Sequence, residues 1–95
     1  MKLTWTRQAL EDLAEARAYV EATSPQAVEE EADRLESTLE RLRIDPLNTT
    51  RPWYTDGTRE IAVDGTLFVL IVRMRGIKVE ILGLFHLSRA WPAAA

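Results

Sequence analysis

The chain has no cysteine, one histidine, four glycines and four prolines among its 95 residues. Without cysteine there is no disulfide framework and no thiolate zinc site. That usage suits a reducing cytoplasm, which is the expected compartment. No apolar run is long enough to cross a bilayer, the longest being residues 67–72. At the start, Lys2 is followed by Leu3-Thr4-Trp5 and then charged residues, which is unlike a signal peptide. A basic excess is also missing: the formal net charge is −3, which weighs against RNA or DNA as the primary ligand. No phosphate loop, metal constellation or Ser-His-Asp arrangement is present, so no cofactor and no metal site are expected.

What is present is a 46% hydrophobic chain of the length of one domain, spanning 1–95, with one core. A domain this small buries a modest share of its surface, and a partner that covers apolar area would stabilise it. The charge is unevenly placed. Residues 1–48 carry six basic and eleven acidic side chains, a balance of −5, and residues 49–95 carry six and four, a balance of +2.

Residues 1–5 suit a short strand, with Leu3 and Trp5 on one side. Thr6 then caps a helix whose Ala9, Leu13, Ala16 and Val20 follow helical spacing, with Leu10 beside them. Ser24-Pro25 opens a second helix, Pro25 taking the first helical position. Glu29, Glu30 and Glu31 favour the positive end of its dipole, and the charge run to Asp33 reads as a solvated face. Val28, Ala32, Leu35, Leu39 and Leu42 form its apolar stripe. Asp45-Pro46 ends this helix, and an irregular connector follows to Gly57, with Trp53 and Tyr54 folded back on the edge of the core.

Three strands follow: residues 58–63, 66–75 and 78–86, joined by turns at Asp64-Gly65 and Gly76-Ile77. The fold class is therefore α+β, a β-α-α-β-β-β order with one sheet: an N-terminal strand, a helical hairpin and a three-stranded antiparallel meander. With two-residue turns, Ile61 faces Phe68, Val72 faces Ile81 and Arg73 faces Glu80. One sheet face then gathers Ile61, Val63, Phe68, Leu70, Val72, Ile81 and Phe85. The other gathers Glu60, Ala62, Leu67, Val69, Ile71, Leu82, Leu84 and His86. Two helices can cover only one face. Leu67, Val69, Ile71, Leu82 and Leu84 then either form an interaction surface or lie under the Trp53-Tyr54 connector or the C-terminal tail.

The order of elements and several stretches resemble the RelE/ParE toxin superfamily of bacterial type II toxin–antitoxin systems. The stretches are Trp5-Thr6 leading into the first helix, Pro25, Thr58-Arg59-Glu60-Ile61, Gly65-Thr66 before the apolar strand, and the tail His86-x-x-Arg89-x-Trp91-Pro92. The tail is more similar to the ParE branch, often described as plasmid-stabilisation proteins. That branch implies a toxin that arrests growth by binding and inhibiting DNA gyrase and is neutralised by a cognate antitoxin protein. The alternatives are a RelE-like ribosome-dependent mRNA endonuclease, or a non-toxic relative that only binds an antitoxin.

RelE-like cleavage activates a ribose 2′-OH and needs a proton acceptor, a proton donor and cations. Here the central-strand arginine position of that branch falls on Val69, the preceding strand lacks the paired lysines, and no tyrosine follows Arg89. The chain thus reads as a binding inhibitor rather than an enzyme. His86 and Arg89 are the weak catalytic candidates, and a lone histidine is more often structural. Arg59, Arg89 and Trp91 are the candidate target contacts; a cross-strand charge pair for Arg59 and edge packing for Trp91 are the bland readings. The five apolar residues Leu67, Val69, Ile71, Leu82 and Leu84 are the candidate antitoxin contacts.

Overall fold

The structure is a computed structural model, and it describes residues 1–87. The elements run β1 (Lys2–Trp5), α1 (Arg7–Thr23), a 3-10 turn (Pro25–Ala27), α2 (Val28–Ile44), α3 (Pro46–Thr49), β2 (Arg51–Pro52), β3 (Thr58–Ala62), β4 (Phe68–Arg75) and β5 (Lys78–His86). All five strands form one sheet of order β1-β5-β4-β3-β2, in which β1 runs parallel to β5 and the other pairs are antiparallel. The expected α+β architecture is present, with two additions. The connector is not irregular throughout: it contains α3 and the two-residue edge strand β2, where Pro52 fits because an edge strand can spare an N–H.

Both helices lie on one side of the sheet. Ala9, Ala16 and Val20 of α1 and Leu42 of α2 close a core with Phe68, Leu70 and Val72 of β4 and Val79, Ile81 and Leu84 of β5. Thr6 caps α1 as expected, its hydroxyl accepting from the Ala9 N–H at 3.1 Å. Leu10, expected beside the stripe, is exposed. Pro25 opens the 3-10 turn rather than α2, which begins at Val28 with no side-chain cap. In α2 the apolar stripe seats only at its C-terminal end. Leu42 and Thr38 are buried, Leu35 and Leu39 are partly buried, and Val28 and Ala32 are exposed. The N-terminal half of α2 therefore stands off the core.

The β3–β4 connection is longer than the Asp64-Gly65 signal suggests. Ile61 faces Leu70, and the Val63 N–H donates to the Phe68 carbonyl, so four residues turn the chain. The Thr66 hydroxyl takes part, donating to the Val63 carbonyl at 2.7 Å and accepting from the Phe68 N–H at 3.1 Å. The slip is two residues, so no side chain of this pair changes face. Gly65 has φ +76°, and a Cβ there would meet the Arg34 guanidinium at 2.0 Å. Arg34 donates to the Asp64 carbonyl and Arg41 pairs with the Asp64 carboxylate at 2.9 Å, which ties α2 to this loop.

The β4–β5 turn is the expected two-residue one, with Gly76 at φ +62° and Arg75 opposite Lys78. A glycine with positive φ at the first central position suits a type II′ hairpin. Val72 faces Ile81 and Arg73 faces Glu80, also as expected.

Farther along, β5 carries one extra residue. Ile71 faces Gly83, Leu70 faces Leu84, Val69 faces Phe85 and Phe68 faces His86. This β-bulge overturns three face assignments. Leu84 and His86 lie on the helix side, and Phe85 lies on the other, because one inserted residue inverts the alternation beyond it.

The first helix holds the bulge. The Thr6 N–H donates to the Ile81 carbonyl, and the Thr6 hydroxyl donates to the Leu82 carbonyl at 3.3 Å. Asp12, only 2% exposed, accepts the freed Leu84 N–H at 3.1 Å through Oδ2. Its Oδ1 accepts from the Gln8 amide at 2.8 Å. Gly83 is needed here, since a Cβ would come within 3.1 Å of Asp12 Oδ2.

Candidate functional site

The five expected antitoxin contacts do not share one face. Val69, Ile71 and Leu82 are on the sheet side away from the helices. Leu84, 3% exposed, is in the core, and Leu67 sits in the β3–β4 loop, half exposed. The open face is also partly closed. Trp53 of the connector stands against Phe85 with ring centroids 5.1 Å apart, and Val69 is only 4% exposed between Ala62 and Phe85 in register. Of the two roles expected for the connector, Trp53 takes the covering one, while Tyr54 stacks on Trp53 and remains exposed. What remains apolar and accessible on that side is a strip at Ile71 and Leu82.

The helix side has the larger depressions. Because the N-terminal half of α2 is lifted, a cleft of about 410 Å³ opens between α1 and α2 above β4, floored by Val63, Phe68 and Leu84. Leu13, Ala16 and Val20 form its α1 wall, and Val28, Ala32 and Leu35 its α2 wall. Arg17, Glu21 and Glu31 are the charged residues of its lining. Glu31 was read as part of a solvated face. Instead its Oε2 is buried and has no hydrogen-bond partner. A second depression of about 480 Å³ adjoins the first through Val20, Glu31, Thr66 and Phe68, and extends to Leu67, Tyr19 and His86. Leu67 and Leu84 thus line the helix-side cavities, not the open face.

His86 is 7% exposed and meets two aromatic rings edge-on, Tyr19 at 5.5 Å and Phe68 at 5.0 Å between centroids. Arg59 is engaged by the connector: its guanidinium donates to the Thr50 hydroxyl at 2.6 Å, to the Thr50 carbonyl at 3.1 Å and to the Leu47 carbonyl at 3.3 Å. Its neighbour Glu60 pairs with Arg51 across β2 and β3. Arg73 and Glu80 form the expected cross-strand pair. The hydrogen bond from Arg73 holds the Glu80 carboxyl below the usual carboxylate range. Arg89 and Trp91 lie outside the described residues. Among the described residues, no group of three His, Cys, Asp or Glu side chains could hold a metal ion, and no helix is long and apolar enough to cross a membrane.

Sequence reasoning missed Asp12, Glu31 and the cleft. An acidic residue inside an amphipathic helix reads as solvent-facing unless the bulge it serves is already known.

A mixed sheet with a helical hairpin on one side, and with its cationic strand residues engaged internally, defines a small binding module. The comparisons place it. From residue 3 to residue 91 the chain matches the family described as the ParE toxin of type II toxin–antitoxin system, parDE, and it belongs to that family. It is 30% identical over 91 residues to "Putative toxin Y4kP" of Sinorhizobium fredii (strain NBRC 101917 / NGR234), covering 96% of this chain and 93% of that one. In fold it resembles a chain of the chromosomal ParDE system from P. aeruginosa, at a TM-score of 0.80 and 22% identity, over 90% of this chain and 95% of that one. It also resembles a chain of the RelBE2 toxin–antitoxin complex from Mycobacterium tuberculosis, at a TM-score of 0.64 and 24% identity, with the same coverage.

Proposed function

We propose that this chain is a ParE-like toxin that acts by binding DNA gyrase and is held inactive by a cognate antitoxin. The observation that carries the binding mode is the state of the polar residues nearest the sheet. His86 sits between two aromatic rings, Arg59 braces the connector, and Arg73 is hydrogen-bonded to Glu80. Phosphodiester cleavage at a 2′-OH needs a proton acceptor and cations at one point. These side chains are spread over β3, β4 and β5 and committed to other contacts. Family membership favours an antitoxin partner, and the ParE branch favours gyrase over the ribosome.

Induction of the chain alone should arrest growth and raise a DNA-damage reporter, and co-expression of the protein encoded beside its gene should relieve both. Growth arrest with mRNA cut at ribosomal A sites and a silent DNA-damage reporter would replace this reading with the endonuclease one. Normal growth would leave a non-toxic antitoxin-binding relative.

A further inference from the structure

The antitoxin reading leaves open where such a partner sits and what chemistry it brings. We propose that the α1/α2 cleft receives an amphipathic helix of the antitoxin, with one arginine or lysine of that helix pairing with Glu31. Three observations carry this. First, Glu31 Oε2 is buried without a partner in a cleft otherwise lined mainly by Leu, Val, Ala and Phe side chains. A buried carboxylate oxygen left unsatisfied is costly, and a cationic donor from an occupant removes that cost.

Second, the cleft floor offers no free strand edge, because β4 is hydrogen-bonded to β3 and β5 on both sides. A segment buried there must satisfy its own backbone, which a helix does and an extended strand does not. The α1 wall, from Leu13 to Glu21, rises about 12 Å, enough to face roughly two turns of an occupant.

Third, the charge around the cleft selects the partner. Residues 1–48 carry a balance of −5, and Glu29, Glu30 and Glu31 stand at the start of α2. A second copy would bring the same acidic surface to this face, so a helix with a basic stripe is the complementary occupant.

The test uses the full chain and, as probe, the purified protein encoded beside its gene. Val28 is 37% exposed, so Val28→Lys at the rim, like Glu31→Lys, leaves the core in place, which circular dichroism checks. Each variant should weaken binding about tenfold or more, while Ile71→Lys on the open face changes it less than threefold. Reversing one basic residue of the partner helix to Glu should restore binding to Glu31→Lys and to no other variant. The proposal is overturned if Ile71→Lys abolishes binding while both cleft variants bind as wild type; the antitoxin reading then survives with the open face as its site. It is equally overturned if deleting residues 88–95 removes the effect of Glu31→Lys, since the chain's own tail is then the occupant. A dimer that Glu31→Lys dissociates would make a second copy the occupant. Failure of the wild-type chain to bind the probe at all removes the antitoxin reading itself, and this proposal with it.

Discussion

The two sides of the sheet are closed by different means. On the helix side, side chains from α1, α2, β4 and β5 interlock around Leu70, Val72 and Ile81, each fully buried, yet the seal fails at one place, where α2 lifts away. On the other side nothing helical packs, and one connector aromatic, Trp53, covers Phe85 and its surroundings. The first side is a core with a cleft in it; the second is a surface with a patch on it. The difference teaches that exposed apolar area alone does not identify a docking site. A polar group buried without a partner is more informative, because it states the charge its occupant must bring.

The largest expected contrast between the two sides is in stability. Leu70→Ala removes a fully buried side chain beneath the helices and should destabilise by about 2–5 kcal/mol. Leu82→Ala, on the half-exposed strip, should lose only about 1 kcal/mol. Denaturant midpoints on both variants check this, and equal losses would erase the distinction.

Next comes the device that sorts residues between the faces. Asp12→Ala leaves the buried Leu84 N–H unpaired and should lose about 1–3 kcal/mol. Asp12→Asn, which keeps an acceptor, should recover most of that. Amide exchange at Leu84 reads the bond itself, and unchanged protection in Asp12→Ala would mean that α1 does not hold the bulge.

A smaller effect is expected on the covered patch. Trp53→Ala should lose about 1–2 kcal/mol through its contact with Phe85, while Tyr54→Ala, 92% exposed, stays within about 0.5 kcal/mol.

The smallest concerns the Arg73–Glu80 pair, whose carboxyl titrates below its ordinary value. A carboxyl lowered in the folded state contributes stability above its unfolded pKa and loses it as pH falls through the folded one. Arg73→Gln should therefore melt slightly below wild type at neutral pH, and the two should converge in acid below the ordinary carboxylate range. A gap that persists there would mean that Arg73 acts through packing.

Much of this fold was legible in the chain because the signals were local. The Thr6 cap, the Gly76-Ile77 turn and the Arg73–Glu80 register each depend on a few adjacent residues, and each is present. Asp64-Gly65 was legible as a turn but not in its length, since the Thr66 hydroxyl that organises the longer loop carries no turn signal of its own. The bulge was hidden for another reason. It is fixed by Thr6 and Asp12, more than seventy positions before Leu84, so no reading along β5 could find it. Its consequence reached the site directly: Leu84 moved from the open face to the floor of the cleft, and His86 from a strand end into an aromatic contact. The standing-off of α2 was similarly invisible, because Val28 and Ala32 continue the apolar stripe whether or not the sheet meets them.

The central claim is that this chain acts by binding and not by cleavage. The most direct measurement adds the purified wild-type chain, and a folded His86→Gln variant, to DNA gyrase in a supercoiling assay and to translating ribosomes in parallel. The account predicts dose-dependent loss of supercoiling with both proteins and intact mRNA on the ribosomes. Normal supercoiling, with mRNA cleaved by the wild-type chain and spared by His86→Gln, would contradict it.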